Sequence, residues 1–427
     1  MYVSLKNNNF LLEQPDGVLF SYVINGARLL VQVNDSAEFI LCKLNGLHKI
    51  NDIVKFLAKK YQENEHEVEI MVNDFINELR DNNLIEEHDV PVKKAIKKGI
   101  RDYYTPEHVT MELTHNCPLK CKHCFVNAGI GREIPADKCM QLLKELLNIG
   151  TRTFQLTGGE PFSYQSIDQI IEILIAEGAN IHISTSGYIL NKKVKKCLEM
   201  LLDSNSPLIQ VSIDGQENTH NSIRGKNDAY DNTIKFIKYS VSKNIPIIVA
   251  TTLIDQTFEE IDGLVLELKN LGVKQVRLGI ITNQGRATTN NLNSYSIKEY
   301  QETLVSLKEI YDDEVFQVEE LEESLNSLKS CGAGYKTIKI TPYMTVTPCA
   351  MMQLNIGNLN RESLPEILKR SYRNFSRLEF PQDTFCSGCP EEEYCHDCIS
   401  ESIIRKNNVD NCLWEQSQQD ILCALKK

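Results

Sequence analysis

Val109-Thr110-Met111-Glu112-Leu113-Thr114-His115-Asn116-Cys117-Pro118-Leu119-Lys120-Cys121-Lys122-His123-Cys124 is the stretch from which the architecture is read. Its β-branched and apolar start reads as a strand over 109–113. Cys117-x3-Cys121-x2-Cys124 then places three thiols on one short loop at that strand's C-terminal end. Three thiolates can hold three irons of a four-iron cluster, whose usual complement is four cysteines. The iron left without a protein ligand would be free to bind and activate a small molecule. A zinc site or unpaired core thiols are the plainer readings of the same loop.

Outward from this loop, strands alternate with helical runs. Strands are expected at 109–113, 153–157, 180–185, 208–213, 246–252 and 275–281. Helices are expected at 138–147, 165–175, 192–202, 230–242 and 258–271. Six βα units imply a parallel sheet, doubly wound or curled toward a barrel, with function at the C-terminal ends of the strands. Residues 313–330 read as an acidic bridging helix, and 93–107 as a basic, solvated linker carrying Lys93, Lys94, Lys97, Lys98 and Arg101. An electrostatic patch for an acidic peptide is the other reading of that linker.

The 427 residues suggest two to four domains, and 42% hydrophobic with 24% charged residues is ordinary globular composition. A net charge of −12 disfavours generic binding to nucleic acid or to an anionic membrane surface. No window approaches a membrane span, and the first residues lack a signal-peptide pattern. A cytoplasmic protein is expected. Of 14 cysteines, three lie within 117–124 and eight between Cys331 and Cys423. Clustered thiols in a reducing compartment point to metal ligands rather than disulfides. Cys42, Cys139 and Cys197 stand apart and read as small buried hydrophobes.

The cysteine loop resembles the signature of the radical S-adenosylmethionine (SAM) superfamily. The resemblance implies that SAM chelates the open iron held by Cys117, Cys121 and Cys124, and that reductive cleavage yields a hydrogen-abstracting 5′-deoxyadenosyl radical. Gly158-Gly159-Glu160-Pro161 follows the second strand, where the family holds the methionyl amine. Ser212-Ile213-Asp214 and Arg224-Gly225 resemble the family's ribose and carboxylate contacts, and Ser186, after Thr185, stands where the family more often has Asn. Gln284-Gly285-Arg286 would flank the adenine. The implied fold is α/β: a partial (β/α)6 TIM-type barrel over 108–312.

The C-terminal run is Cys331-x17-Cys349, Cys386-x2-Cys389-x5-Cys395-x2-Cys398, then Cys412 and Cys423. Two Cys-x2-Cys pairs also suit a zinc ribbon, which would leave Cys331, Cys349 and Cys412 unexplained. Behind a radical SAM core the run over 331–427 resembles a SPASM domain with two auxiliary four-iron clusters. The last central gap is x2 where that family has x3. By the family's topology Cys331, Cys349 and Cys398 hold the first auxiliary cluster, and Cys386, Cys389, Cys395 and Cys412 the second. Cys423 reads as a bystander, though it could close the first.

Residues 1–92, expected as three strands then three helices, resemble the PqqD-like element that recognises leader segments of ribosomally made precursor peptides. Such a module, winged-helix-like in form, takes the leader as an added strand. A DNA-binding reading would need a basic recognition helix, yet 65–80 carries Glu65, Glu67, Glu69, Asp74 and Glu78. Together the three regions resemble the thioether-forming, subtilosin-type sactipeptide maturases. The resemblance implies three [4Fe–4S] clusters, SAM, a precursor peptide as partner, and a low-potential flavodoxin or ferredoxin as electron donor. No nucleic-acid or membrane partner is expected. Carbon–carbon crosslinking, epimerisation, decarboxylation and formylglycine maturation are rival peptide chemistries on the same scaffold. A metal sensor with a DNA-binding head is the non-catalytic rival.

Overall fold

The computed structural model describes residues 1–292, 295–321, 330–381, 383–395 and 398–425. Its centre is a ten-stranded sheet. In spatial order the strands are Gln317–Glu320, Gln275–Ile280, Ile247–Leu253, Pro207–Ser212, Asn180–Thr185, Thr153–Gly158, His108–Thr114, Thr337–Ile340, Thr345–Thr347 and Gly357–Asn358. The first eight run parallel, and the last two close the far edge as antiparallel strands. The six expected strands form the middle, and the sheet extends past them on both sides.

Period-2 alternation sorts each strand's side chains. Val109, Met111 and Leu113 of the first core strand join Phe154, Leu156, Ile181 and Ile183 in the principal core. Helices such as Ala136–Ile149 and Ile167–Ala176 cover that face with Leu142, Leu143, Leu146, Ile170, Ile171 and Leu174. The opposite face is polar: Thr110 donates to Gln155 and Gln155 to Ser184, both at 3.0 Å.

Two expectations are corrected on the flanks. Within 313–330, Gln317–Glu320 is not helical but a strand paired with Gln275–Ile280, because Phe316 and Val318 alternate into the core. Residues 322–329 of that expected helix lie outside the described residues. The linker 93–107 is docked rather than free: Lys97–Gly99 is a strand beside Phe10–Gln14, and Lys97 Nζ lies 3.0 Å from Glu13.

The N-terminal region has two small sheets where three strands were expected. Ala27–Gln32, Gly17–Ile24, Phe10–Gln14 and Lys97–Gly99 form one, with Ala27–Gln32 at its edge. Tyr2–Leu5 lies between Asn45–Lys49 and Ile85–His88 in the other. The expected hairpin is present: Asn25 (φ 50°) and Gly26 (φ 77°) form the two-residue turn between Ile24 and Ala27, the positive-φ geometry of a type I′ turn. Helices Asp35–Lys43, Ile50–Tyr61 and Glu65–Asp81 pack Leu41, Ile53, Leu57, Val72 and Ile76 into a separate core. Among the described residues no helix is long and apolar enough to cross a membrane.

Candidate iron–sulfur and substrate site

The cysteine loop leaves the first core strand at its C-terminal end and is gripped by three other strand-end segments. Gly159 N donates to Thr114 O (2.6 Å) and Glu160 N to Asn116 O (2.9 Å). A Cβ on Gly158, whose φ is +140°, would meet Thr114 O at 2.2 Å, and one on Gly159 would meet Asn116 O at 2.5 Å. These glycines are therefore demanded by the neighbouring backbone. Lys120 N and Lys122 N donate to Arg224 O and Ile223 O at 3.1 and 2.8 Å. Arg286 Nε and Nη1 donate to Cys121 O (2.7 Å) and Ala128 O (2.6 Å), so this arginine binds the loop, where an adenine contact was expected of its segment.

All three thiols are free, Cys121 buried and Cys117 and Cys124 partly so. Donors face their sulfurs: the Leu119 N–H faces Cys117, Ala128 N lies 3.3 Å from Cys124 Sγ, and Arg224 Nη1 lies 3.7 Å from Cys121 Sγ. Such bonds stabilise thiolate and tune a cluster's potential. Burial, with Glu160 and the sister thiols nearby, pushes Cys117 up to about 12 despite the Leu119 bond. Iron binding must therefore release protons here. Among the described residues no three His, Cys, Asp or Glu side chains converge on one ion position. The donor set suits a cluster whose thiolates bind different irons.

Glu160 is fully buried and ties the second strand's end to the third. Its Oε1 accepts from Thr185 Oγ1 (2.7 Å) and Phe162 N (3.2 Å), its Oε2 from Ser186 N (3.0 Å) and Ser186 Oγ (2.5 Å). Burial holds its carboxyl above the usual range in spite of these four donors. Pro161 opens the short 3-10 turn Pro161–Ser163 that Glu160 caps. Ser212, partly buried, ends the strand Pro207–Ser212.

Asp214, read with Arg224 among the SAM contacts, lies in a buried ion pair: its Oδ2 is 2.7 Å from Arg224 Nη2 and 3.8 Å from His123 Nε2. Thr252 N donates to its Oδ1 at 3.2 Å. Burial alone would raise this carboxyl, but Arg224 first, then His123 and His220, outweigh it and hold it below the usual range. Arg224 thus links a buried carboxylate to the Cys121 sulfur. Sequence spacing locates Asp214 and Arg224 without indicating that they meet.

Glu112, Lys339 and His115 were not singled out from the sequence. Glu112 Oε1 lies 3.1 Å from Lys339 Nζ, and its Oε2 lies 3.3 Å from His115 Nε2. Lys339 is 1% exposed and also donates to Ala350 O at 3.1 Å. Glu112 and His115 border a cavity of about 370 Å³. Phe125, Val126 and Asn127, directly after Cys124, line it, as do Thr345, Thr347 and Gln353, which flank Cys349 in the chain. The signals available were a glutamate pointing off a strand and a lysine alone among apolar residues in Thr337–Ile340.

The C-terminal cysteines fall into two neighbourhoods. The Ile399 N–H, next to Cys398, donates to the Cys331 sulfur, and Cys331 lies close enough to Cys349 to raise its thiol further. Burial pushes Cys349 up to about 11 and Cys395 to about 12; Cys389 and Cys386 add to the latter shift. Cys412 caps the helix Leu413–Ser417, which packs against Asp383–Cys386. Cys423 is exposed on Gln419–Leu425, Cys139 and Cys197 are buried, and Cys42 is partly buried.

Residues 111–268 match the radical SAM superfamily, residues 331–390 the SPASM iron–sulfur cluster-binding domain, and residues 23–85 coenzyme PQQ synthesis protein D (PqqD). The antilisterial bacteriocin subtilosin biosynthesis protein AlbA of Bacillus subtilis (strain 168) is 22% identical, over 91% of this chain and 89% of its own. The sporulation killing factor maturation protein SkfB of the same strain is 26% identical over 77% of this chain and 79% of its own. The fold resembles that of Streptococcus suis SuiB bound to S-adenosylmethionine, with a TM-score of 0.67 and 15% identity, covering 94% of this chain and 96% of that one. Radical SAM and SPASM domains call for [4Fe–4S] clusters and SAM, and the free thiols at both sets of loops suit them. The chain is an iron–sulfur enzyme of the radical SAM superfamily, with a PqqD-like domain before its core and a SPASM domain after it.

Proposed function

We propose that this enzyme acts in the cytoplasm and installs cysteine thioether crosslinks in a ribosomally made precursor peptide. The observation that carries the reading is the cavity beside Glu112, which is lined both by Phe125, Val126 and Asn127, directly after Cys124, and by Thr347 and Gln353, on either side of Cys349 in the chain. A peptide residue held there would lie next to segments adjoining both sets of cysteines. The PqqD-like domain and the two Bacillus relatives support a peptide partner.

In this reading Cys117, Cys121 and Cys124 hold the SAM-binding cluster. Cys331, Cys349 and Cys398 hold the first auxiliary cluster, and Cys386, Cys389, Cys395 and Cys412 the second. Bound there, cluster and SAM supply a 5′-deoxyadenosyl radical able to remove hydrogen from a peptide carbon. The chain's own residues do the rest. Gly158 and Gly159 let the 158–161 segment, with Pro161, seat against the cysteine loop. Glu160 holds Ser186 in place, and Arg224 braces Cys121 while Asp214 balances its charge. Ser212 is left facing the polar side of the sheet as a SAM contact. Electrons would come from a low-potential flavodoxin or ferredoxin.

The test is anaerobic reconstitution followed by reaction with a cysteine-containing precursor peptide. Three clusters require about 12 irons per chain. Mass spectrometry should find two hydrogen atoms lost per crosslink and fewer alkylatable thiols. About four irons with bound zinc would overturn the auxiliary clusters, and loss of hydrogen with every thiol still alkylatable would overturn the thioether.

A further inference from the structure

A second cavity, of about 500 Å³, lies at the junction of the N-terminal region and the core. Lys6, Lys94, Lys98 and Arg152 line it, together with the Phe10 ring and the Glu177 carboxylate. Arg152 is only 3% exposed, and Arg28, just behind it, 8%. The Arg152, Lys98 and Arg28 cations lie 4.8, 5.6 and 5.8 Å from the centre of the Phe10 ring.

Among the described residues these two buried guanidinium groups and the half-buried Lys98 have one carboxylate in an ion pair with them, Glu177, which lies 3.3 Å from Arg152 Nη2. Backbone carbonyls take several of their protons: Lys98 Nζ and Arg152 Nη1 both donate to Leu147 O, and Arg28 Nε donates to Gly178 O. Arg152 Nε and Arg28 Nη2 are buried and have no hydrogen-bond partner among the described residues. Burial, with Arg152 beside it, brings Arg28 down to about 9, and burial brings Arg152 to about 10. Lys94 and Lys98 come from the basic connector; Lys94 already pairs with Glu86, and Lys98 has no ion pair among the described residues.

We infer that this junction cavity is an oxyanion site that takes a carboxylate or a phosphate group. Guanidinium forks suit both groups, and charge-assisted bonds to them are the strong kind. An anion there would meet Arg152, the lining residue with an orphan N–H, and offset the excess positive charge. It would also tie Lys98 of the docked connector to Arg152 of the core. An aspartate or glutamate of the peptide substrate is one source, which rests on the function proposed above; free phosphate is the other.

The test uses the full, cluster-loaded chain and reads melting temperature and binding, without turnover. The probes are inorganic phosphate against sodium chloride at equal ionic strength, and a short alternating Ala-Glu peptide against its Ala-Gln counterpart. Phosphate or the Glu peptide should raise the melting temperature in proportion to occupancy. Lys98→Gln should weaken binding about tenfold, the loss of one charge-assisted bond. Glu177→Gln removes the competing carboxylate and should tighten it, a gain that a merely structural role would not produce. Binding of both anions with mutual competition supports the site and its peptide source; binding of phosphate alone supports the site and overturns that source. No shift beyond matched chloride, or binding indifferent to both substitutions, overturns the site. Because the phosphate arm involves no peptide, a failure of crosslinking leaves it intact, and the two readings fail separately.

Discussion

Lys339→Met should cost the enzyme far more stability than the loss of an ordinary surface ion pair. Lys339 is 1% exposed and its ammonium lies 3.1 Å from Glu112 Oε1. At that separation an effective dielectric of about 20 gives an attraction of about 5 kcal/mol. Desolvation of both charges offsets most of it, so the intact pair adds little net stability. The asymmetry appears when one partner goes: methionine fills similar space, but Glu112 is left buried with only His115 facing it. Stranding a buried charge costs about 3–5 kcal/mol. In a cooperative unit of roughly 200 residues that is a fall of about 6–15 °C in melting temperature. Glu112→Gln alone should cost a similar amount by stranding the lysine. The double variant carries no buried charge and should return to within about 1–2 kcal/mol of the parent. Anaerobic calorimetry of the four proteins at one scan rate completes the cycle. A Lys339→Met protein melting within about 2 °C of the parent, or a double variant as damaged as the two singles added together, would refute the reasoning.

Three further outcomes are expected. Gly159→Ala should leave the SAM-site iron unloaded, since the added methyl lies 2.5 Å from Asn116 O and must push the cysteine loop away; iron analysis would then show about four irons missing, and normal loading would contradict the packing argument. His108 is held down at about 4 by burial and by His182, whose ring centre is 5.9 Å away. Unfolded, it returns to about 6.5, so its contribution is complete above that pH and is lost as pH falls toward 4, by up to about 3 kcal/mol. His108→Gln should flatten this acid limb of the stability profile, and an unchanged limb between pH 6.5 and 4 would rule the histidine out as its source. Leu30→Asp, on the edge strand Ala27–Gln32 where Leu29, Leu30 and Val31 are 39, 36 and 46% exposed, should weaken precursor binding about tenfold with little change in melting temperature. Equal binding by both proteins would move the docking surface elsewhere.

What could be read in advance was local. Cys117, Cys121 and Cys124 announce themselves because their spacing on one loop carries the chemistry, and the core strands because each is a compact apolar run. The Asn25-Gly26 turn was equally plain, since its backbone geometry belongs to two adjacent residues. Pairings across long stretches of chain stayed hidden. Tyr2 pairs with His88, and Leu11 with Lys97; a strand as short as Lys97–Gly99, composed of lysines and a glycine, carries no β signal of its own and exists because Phe10–Gln14 offers it an edge. Gly158 and Gly159 were recognisable as special, but the reason lies in the backbone of Thr114 and Asn116. Asp214 and Arg224 were both visible, and their ion pair was not. The lysine of Thr337–Ile340 gave no hint in the sequence that Glu112 lies opposite it.

The placement of the N-terminal region constrains how a peptide could be handled. Arg28 donates to Gly178 O, Gly150 packs on Leu12, and Gln14 bonds to Thr105. Gly178, Gly150 and Thr105 all precede core strands, so this region is seated under the strands' N-terminal ends. The cysteine loop, Glu160, Ser186 and Asp214 all follow core strands, at the opposite end. A core strand such as His108–Thr114 spans about 23 Å at 3.3 Å per residue. A leader anchored on the exposed edge Ala27–Gln32 must therefore climb the depth of the sheet before its first modifiable residue reaches the cavity beside Glu112. An extended chain needs at least about seven residues for that climb, and more once it rounds the rim. Docking and chemistry are separated by the thickness of the core. A precursor shortened between its leader and its first crosslinked residue should keep its binding and lose its modification, whereas one lengthened there should keep both.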